Sequence, residues 1–484
     1  MSFSLSNVFF VLATILTILV ALSYYGITIL KRILAQNAKV NRNTILSTLR
    51  PNAEENPVLI IGFFHPYCNA GGGGERVLWT IIRIIQETYP HVVCAIYTGD
   101  VDVKKEDILQ KVKARFNIVL NQDTLTFVHL KKRSLVEDKR YPRFTLLGQS
   151  LGSIFLGWEA LNKLVPDMFF DTMGYAFTYP LVKYLTSCKV AAYVHYPTIS
   201  SDMLNKVHER RSGFNNNEAI ANSFLYSDLK LMLYSLAGTF ADVIMVNSSW
   251  TKGHIDNLWS TSSKVVFPPC DTTAFSRLPI EDRANIIVSV AQFRPEKDHQ
   301  LQLKALQKFL QKYAEFRTGP AAVTLVLIGS SRNESDELRV KQLKEQCKKL
   351  NIENNVIFET NAPFAKLIDW MSKAKVGIHT MWNEHFGIGI VEYMAGGVIP
   401  LAHNSGGPKM DIVVSYKGNK TGFLANDDES YASALHTIFT MSALQLQNIQ
   451  INARQLAMEK FSENVFKESM LDVLESILSE SRDF

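Results

Sequence analysis

Residues 376–401 read VGIHTMWNEHFGIGIVEYMAGGVIPL, and this segment decides the class of the fold. The apolar runs Val376–His379 and Val398–Leu401 predict two strands, and glycines 387 and 389 open a helix between them. A strand, a covering helix and a second strand form the βαβ unit of a parallel sheet. The segment therefore predicts an α/β protein.

Short apolar runs alternate with amphipathic stretches along most of the chain, which predicts two parallel sheets covered by helices. The predicted strands are Val58–Phe63, His91–Tyr97 and Val190–Val194 in the first half, then Ile286–Ala291, Val323–Ile328, Val356–Phe358, Val376–His379 and Val398–Leu401. Turn chemistry at Pro268–Pro269 and Leu278–Pro279 marks the linker. We expect two Rossmann-like domains facing a cleft, over 56–277 and 278–455, and a helical segment over 456–484 that packs back on the first.

The composition excludes several classes of protein. Hydrophobic residues make up 47% of the 484 residues and charged residues 20%, which excludes global disorder. Five cysteines without a C-x-x-C pair fit neither a disulfide framework nor a thiolate zinc site, and they indicate a reducing compartment. A net charge of +5 does not by itself indicate a nucleic-acid-binding protein.

The N-terminus predicts a membrane anchor over residues 1–30. From Val8 to Leu30 the chain has 23 residues without a charge, a length of about 34 Å as a helix. Lys31 and Arg32 begin a polar, basic connector over 31–55, and the positive-inside rule then places the body in the cytosol. A cleaved signal peptide is the alternative, which the length of the apolar stretch disfavours.

Two carboxylates separated by seven residues follow the strand Val376–His379. Glu384 falls in the loop and Glu392 on the helix that Gly387 and Gly389 open. The free N–H groups of such a helix start can approach a phosphate or a polar sugar. The alternative is a capped surface helix with a stray glutamate.

Cations follow another predicted strand, Ile286–Ala291, in the hexapeptide Gln292–Lys297. Arg294 and Lys297 lie three residues apart there. Fixed cations stabilise the negative charge that develops on a departing phosphate. The alternative is a solvated basic turn.

Two glycine loops and a histidine complete the candidate sites at strand ends. The first loop, predicted to meet a diphosphate or an acceptor, comprises Gly71, Gly72, Gly73, Gly74 and Glu75, and a flexible turn is the alternative. The second comprises Ser405, Gly406 and Gly407. His195 follows the strand Val190–Val194, where it is either functional or a structural histidine. Asp100 and Asp102 form a D-x-D that we interpret as a loop and not as a metal site.

Residues 131–161 combine a basic segment with an apolar helix. Six Lys or Arg residues stand against two acids over 131–143, and apolar side chains recur at helical spacing from Phe144 to Trp158. Such a helix either lies on a bilayer with its basic neighbour at the headgroups or belongs to the core of the first domain.

The carboxylate segment resembles a known family. Glu384-x-Phe386-Gly387 with Glu392, followed by Ala395-Gly396 and Pro400, is similar to the E-x7-E signature of the retaining, GT4-like glycosyltransferases with the GT-B fold. The longer stretches 63–79, 193–198 and 291–297 resemble the dolichol-pathway α-1,2-mannosyltransferases of the endoplasmic reticulum.

The resemblance implies roles for individual residues. Glu384 would contact the donor hexose, Glu392 the ribose, and His195 would position the transferred sugar. The nucleotide sugar would be bound by the start of the helix and by the second glycine loop, that is by Phe386, Gly387, Ile388, Gly389, Ser405, Gly406 and Gly407. Lys297 matches a cation of the family, whereas Gln292 stands where its Arg is expected, so Arg294 is the candidate replacement.

The resemblance also implies the reaction and its setting. The donor would be GDP-mannose, and the acceptor a dolichyl-diphosphate oligosaccharide that two α-1,2-linked mannoses extend from Man3GlcNAc2 to Man5GlcNAc2, with retention and without a metal or other cofactor. The enzyme would be a single-pass protein of the endoplasmic reticulum membrane with cytosolic catalytic domains, without a nucleic-acid partner and in a possible complex with other transferases of the pathway. The alternatives are another lipid-linked mannosyltransferase, a phosphorylase or epimerase of similar fold, and a non-catalytic membrane scaffold.

Overall fold

The computed structural model of the chain describes residues 5–49, 58–197 and 224–480. The contacts divide these residues into two compact units. The first unit contains the described residues up to 245 together with 255–263, and the second contains 246–254 and the residues from 264 onward. The predicted domain boundaries, and the return of residues 456–484 to the first domain, stay predictions.

The sheet of the first half has seven strands in the order β3-β2-β1-β4-β5-β6-β7. Its strands are β1 (Ile60–Phe64), β2 (Val93–Thr98), β3 (Leu125–His129), β4 (Met168–Asp171), β5 (Lys189–Val194), β6 (Val243–Val246) and β7 (Lys264–Val265). The helices are α1 (Leu5–Leu49), α2 (Gly73–Thr88), α3 (Lys105–Phe116), α4 (Thr145–Lys163), α5 (Thr178–Leu185), α6 (Phe224–Gly238) and α7 (Ser249–Trp259). β1 pairs in parallel with β2 and β4, as the βαβ pattern predicts.

The sheet of the second unit has six strands in the order β10-β9-β8-β11-β12-β13. Its strands are β8 (Ala284–Val290), β9 (Thr324–Gly329), β10 (Val356–Thr360), β11 (Ala374–His379), β12 (Ile399–His403) and β13 (Phe423–Ala425). The helices are α8 (Thr272–Ser276), α9 (His299–Lys312), α10 (Glu334–Lys349), α11 (Phe364–Lys373), α12 (Ile388–Ala395), α13 (Asp428–Thr440), α14 (Ala443–Phe461) and α15 (Glu463–Glu480). β11 pairs in parallel with β8 and β12, so the loops after these three strands lie at one edge.

The predicted strands are all present, with bounds that move by a few residues at either end. The strands β3, β4, β6, β7 and β13 were not predicted. β7 has two residues and β13 three, which is too short for a period of two to show. The two parallel sheets are therefore confirmed, whereas the strand count was too low.

One close approach fixes helix α12 over the sheet of the second unit. A Cβ at Gly377 in β11 would lie 2.3 Å from the ring of Tyr393 in α12, so only glycine lets the helix pack there. The Tyr393 hydroxyl then accepts the Val290 N–H at 2.7 Å, at the end of β8. This contact holds α12 against the carboxyl end of β8.

The N-terminal segment is one helix, α1, from Leu5 to Leu49. Within the described residues, no helix meets both the length and the apolarity that crossing a membrane requires. The anchor predicted over residues 1–30 is therefore not confirmed. The connector predicted over 31–55 is helical up to Leu49, because α1 continues through it: Asn37 Nδ2 lies 2.9 Å from Asn162 Oδ1, and Arg42 lies 2.9 Å from Asp167. The rest of the connector lies outside the described residues.

All five cysteines are free and buried, which confirms that they form no disulfide framework.

Candidate active site

The loops after β8 and β11 bring the predicted cation and carboxylate together. Lys297 lies in a 3-10 turn, Pro295–Lys297, after β8, and Glu384 lies in the loop between β11 and α12. Lys297 Nζ is 2.6 Å from Glu384 Oε2. His379, the last residue of β11, places Nε2 3.2 Å from the same carboxylate oxygen. One oxygen of the Glu384 carboxylate thus contacts both an ammonium and an imidazole nitrogen.

The group is largely shielded from solvent, which sets its charges. Burial alone would raise the pKa of the Glu384 carboxyl, but the Lys297 charge and the hydrogen bonds from His379 and Lys297 hold that pKa well below its usual value. Burial lowers the pKa of His379 despite its bond to Glu384. At neutral pH the group therefore contains a carboxylate, an ammonium and a neutral imidazole. A carboxylate only accepts, so His379 donates from Nε2.

Backbone contacts hold the Lys297 turn against the end of β11. The Thr380 hydroxyl donates to the backbone carbonyls of Lys297 at 2.9 Å and Asp298 at 3.0 Å. Gln302 Nε2 in α9 donates to the same hydroxyl at 3.0 Å. These hydrogen bonds hold the backbone of Lys297 at the end of β11, and the contact with Glu384 holds its ammonium.

The second glycine loop, residues 405–407, packs against the loop that carries Glu384. Gly406 has φ +59°, and a Cβ there would lie 2.3 Å from the Glu384 carbonyl oxygen. The Gly407 N–H donates to that carbonyl at 2.8 Å, and the Ser405 hydroxyl accepts the Asn383 N–H at 2.8 Å. The predicted loop 405–407 thus lies beside Glu384, and its close packing requires glycine at 406.

Helix α12 begins where the sequence predicts. Gly387 at its N-cap has φ +115°, a conformation that favours glycine, and Phe386 before it is 3% exposed. Gly389 lies in the first turn, where a Cβ would be 3.8 Å from the Val290 carbonyl oxygen. Ile388 and Glu392 are half-buried on the helix. The structure places Glu392 about one turn along α12 from its start, and its contact with a ribose stays a prediction.

Arg294 lies away from the Lys297–Glu384 contact. Its guanidinium is 4.0 Å from Glu296, and its side chain lines a pocket with Arg339 of α10. The spacing of three residues suggested one phosphate-facing pair, but the chain turns through Pro295–Lys297, and the two side chains line different places. The predicted replacement of the missing Arg by Arg294 remains untested.

The first glycine loop and His195 belong to the first unit. Glu75 at the start of α2 accepts the Gly72 N–H, and its other oxygen lies 3.4 Å from His65 Nε2. His65 Nδ1 in turn is 2.7 Å from the Thr172 hydroxyl, after β4. Burial alone would raise the pKa of Glu75, but the hydrogen bond and charge of His65 and the Gly72 N–H lower it.

The glycine loop also approaches His195. A Cβ at Gly74 would lie 3.5 Å from His195 Nε2, so the loop backbone reaches contact distance of the imidazole. His195 follows β5 and contacts the Tyr193 ring at 5.0 Å between centroids. The predicted loop 71–75 and the predicted histidine are therefore neighbours, and their roles stay predictions.

Three histidines at strand ends were not recognised from the sequence. His379 ends β11, His403 ends β12 and contacts the Ser405 hydroxyl at 2.8 Å, and His65 follows β1. Their position at the carboxyl ends of predicted strands was the available signal, the same one that singled out His195.

The D-x-D segment serves a structural role at Asp100. Its carboxylate accepts from Arg133 at 2.6 Å and from the Asn69 N–H at 3.2 Å. Within residues 5–49, 58–197 and 224–480, no group of three or more His, Cys, Asp or Glu side chains has the arrangement of a metal site.

Two family models match the chain. The model described as "ALG11 mannosyltransferase N-terminus" matches residues 58–259, and "Glycosyl transferases group 1" matches residues 271–456. Solved structures with a similar fold include Anabaena Alr3699/HepE in complex with UDP and glucose, with TM-score 0.60 and 16% identity over 86% of this chain and 100% of that chain. Another is the trehalose 6-phosphate synthase of Burkholderia multivorans, with TM-score 0.63 and 12% identity over 88% of this chain and 100% of that chain. This likeness shows a GT-B-like α/β fold.

Curated relatives give the family. The proteins named GDP-Man:Man(3)GlcNAc(2)-PP-Dol alpha-1,2-mannosyltransferase are 50% identical in Homo sapiens, over 87% of both chains, and 46% identical in Dictyostelium discoideum, over 87% of this chain and 85% of that protein. Because the identity extends over nearly the whole chain, the protein belongs to the GDP-Man:Man3GlcNAc2-PP-Dol α-1,2-mannosyltransferase family.

Proposed function

We propose that the protein transfers mannose from GDP-mannose to Man3GlcNAc2-PP-dolichol and adds two α-1,2-linked residues to give Man5GlcNAc2-PP-dolichol. The proposal rests on family membership and on one observation, the contact of Lys297 Nζ with Glu384 Oε2 at the strand ends of the second unit. This reaction belongs to the assembly of an N-glycan precursor.

Lys297 supplies the positive charge that the leaving diphosphate needs. The charge on that diphosphate grows as the bond to mannose breaks, and a cation already held in place by Glu384 stabilises the growing charge without reorganisation. Glu384 holds the ammonium in place before the donor binds and accepts a hydrogen bond from a mannose hydroxyl afterwards. Glu392 binds the ribose, and the start of α12, with Phe386 to Gly389, lies against the diphosphate.

Transfer proceeds with retention and without a settled covalent intermediate. The leaving phosphate takes the proton of the incoming acceptor hydroxyl, so the new C–O bond forms on the face from which the phosphate departs. His195 positions the sugar, and the loop 71–75 contacts the diphosphate or the acceptor. No metal enters this scheme. An assay with chelator tests that point, because activity that is lost and then restored by magnesium or manganese would contradict it.

The enzyme works at the endoplasmic reticulum membrane, with α1 as a single-pass anchor and the two units in the cytosol. Helix α4 supports a second contact with the bilayer because large apolar side chains on it face outward. Leu146, Leu151 and Phe155 are 43%, 51% and 59% exposed, whereas Ser150 and Ser153 are buried together with Leu156 and Leu161.

Hydrogen bonds hold the basic segment 131–143 beside this apolar face. The Glu159 carboxylate accepts the backbone N–H groups of Lys131 at 2.8 Å and Lys132 at 2.9 Å. A Cβ at Gly152 would lie 1.9 Å from the Leu135 carbonyl oxygen, so the segment after Lys132 packs directly on α4. Basic side chains next to exposed apolar ones match the surface of a bilayer with anionic lipids.

The decisive experiment incubates the purified full chain with radiolabelled GDP-mannose and synthetic Man3GlcNAc2-PP-lipid, then digests the product with an α-1,2-specific mannosidase. Two labelled residues that this mannosidase removes support the proposal. Transfer only to a different lipid-linked oligosaccharide would assign another mannosyltransferase activity. Turnover of GDP-mannose with free phosphate, or without any acceptor, would indicate a phosphorylase or an epimerase. A scaffold would show no transfer and would tolerate Glu384→Ala.

A further inference from the structure

A second cationic pocket lies in the same unit as the Lys297–Glu384 contact. It has a volume of about 210 Å³ and lies between the turn after β8, the start of α9 and the second and third turns of α10. The side chains that carry its chemistry are Arg294, Asp298, His299, Gln300, Arg339 and Gln342. None of these side chains has a place in the proposed transfer except Arg294, whose predicted contact with the donor is untested.

The charges in the pocket favour an anion. Arg294 and Arg339 supply two guanidinium groups against one carboxylate, that of Asp298. That carboxylate is engaged as the N-cap of α9, where it accepts the Leu301 N–H at 3.2 Å. Glu296 is 4.0 Å from Arg294, and both side chains are over 40% exposed, so water screens this pair.

Two residues that line the pocket also carry unsatisfied nitrogen atoms. Arg339 Nε and His299 Nδ1 are buried without a hydrogen-bond partner among the residues that the structure describes. His299 itself is 3% exposed and lines the pocket. Buried polar atoms are nearly always satisfied in native proteins, so two unsatisfied nitrogens in one pocket wall favour a polar occupant over an apolar one.

The start of α9 adds backbone donors. The first N–H groups of a helix have no acceptor within the helix, and those of His299 and Gln300 are the first two of this 14-residue helix. Helix starts combined with guanidinium forks bind phosphate groups, because both present several N–H donors to one anion. The volume suits a phosphate or a diphosphate group and is too small for an oligosaccharide.

We propose that the pocket of Arg294, Arg339 and the start of α9 binds a phosphate group that is additional to the phosphates of the sugar donor. The group belongs either to a soluble phosphate or to the headgroup of a lipid. Neither Lys297 nor Glu384 lines this pocket, so the proposal places the phosphate outside the contact that meets the donor.

The test measures thermal unfolding of the full chain in detergent, with and without saturating GDP, in sodium phosphate or in sodium chloride at equal ionic strength. Phosphate is expected to raise the unfolding midpoint of the wild type by about 3 °C over chloride. Arg339→Gln and Gln342→Glu should each remove most of this rise. Gln342 is exposed, so Gln342→Glu repels an anion without disturbing the core. Lys341→Gln, an exposed neighbour on α10, is the matched control and should keep the rise.

A water-soluble short-chain phosphatidic acid identifies the source of the phosphate. A rise equal to that with inorganic phosphate assigns a soluble anion, and a clearly larger rise assigns a lipid headgroup. The proposal is overturned if Arg339→Gln and Gln342→Glu both keep the wild-type rise, or if GDP abolishes it. Because the readout needs no turnover, a chain without mannosyltransferase activity would contradict the proposed function and leave this test intact.

Discussion

Lys297 Nζ lies 2.6 Å from Glu384 Oε2, although 87 residues of chain separate the two. The contact joins the ends of β8 and β11, which are neighbours in the sheet of the second unit. The side chains of Lys297 and Glu384 are 22% and 14% exposed, so their electrostatic attraction is stronger than that of a surface ion pair. In the absence of substrate the carboxylate therefore keeps the ammonium at the place where a diphosphate would meet it.

We expect Lys297→Ala to lower mannose transfer more than tenfold, a loss of over about 1.4 kcal/mol of transition-state stabilisation. The variant also leaves the Glu384 carboxylate without its cation, so the pKa of that carboxyl should rise. The measurement is the initial rate of transfer with labelled GDP-mannose.

Lys373→Ala is the control for Lys297→Ala, because Lys373 pairs with Asp369 on the surface and is 54% exposed. It should keep the wild-type rate. Equal rates for the two variants would contradict the proposed role of Lys297, provided that both unfold at the wild-type temperature.

We expect Gly406→Ala to abolish most of the activity by displacing Glu384. The added Cβ would lie 2.3 Å from the Glu384 carbonyl oxygen, and a left-handed backbone at φ +59° adds strain of about 1 kcal/mol. Gly418→Ala is a matched control, since Gly418 has φ +83° with nothing within 4 Å of its Cβ position. Gly406→Ala should lose more stability in thermal unfolding than Gly418→Ala, because only its Cβ meets backbone atoms, and only Gly406→Ala should lose more than tenfold in transfer rate. A similar loss of rate in both would show that strain alone matters.

The segment from β11 to β12 was predictable because two local signals agree there. Apolar runs of strand length flank glycines at a helix start, and the structure places Gly387 at that start with φ +115°. Glu384 and Lys297 were each predicted to follow a strand, and the carboxyl ends of parallel strands meet at one edge of a sheet.

The rest depended on contacts that no local pattern carries. His379 looked like the last residue of a buried strand, and only the folded loop shows that its Nε2 reaches Glu384. Arg294 seemed equivalent to Lys297 by spacing, but the 3-10 turn at Pro295 sends it to a pocket with Arg339. The apolar face predicted for α4 was compatible with a core helix, and exposure distinguishes the two cases only once the neighbours of Ser150 and Gly152 are known.

The pH dependence of stability should contain a contribution from His299. Burial, followed by the charges of Lys297 and Arg339, lowers the pKa of His299 to about 4. In the unfolded chain the pKa of a histidine is about 6.5, so the unfolded chain binds more protons between pH 6.5 and 4. Stability therefore falls as the pH drops through this window, by about 3 kcal/mol over its full width.

The measurement for His299 is the unfolding midpoint at pH 7 and pH 5 in a buffer without phosphate. His299→Gln should show a smaller decrease between the two pH values than the wild type, because the glutamine cannot be protonated. His91→Gln, at an exposed histidine, should behave like the wild type. A decrease in His299→Gln that matches the wild type would show that His299 is protonated in the folded protein at pH 5.

The exposed face of α4 should enter a bilayer, and the chain offers a direct way to see it. All five native cysteines are buried, so a cysteine placed on the surface can be labelled alone with an environment-sensitive fluorophore. Leu151→Cys lies on the apolar face at 51% exposure, and Val119→Cys, at 66% exposure, is the matched site elsewhere in the first unit. In full-length protein reconstituted into vesicles with anionic lipid, brominated lipids should quench the label at 151 and leave the label at 119 unchanged. Quenching should weaken in neutral vesicles and at high salt. The basic segment that begins at Lys131 and Lys132, which Glu159 holds beside α4, contributes about 1 kcal/mol of binding free energy for each cation near an anionic surface. If the labels at 151 and 119 respond alike, α4 faces water in the membrane-bound protein, and α1 alone would have to hold the enzyme at the bilayer.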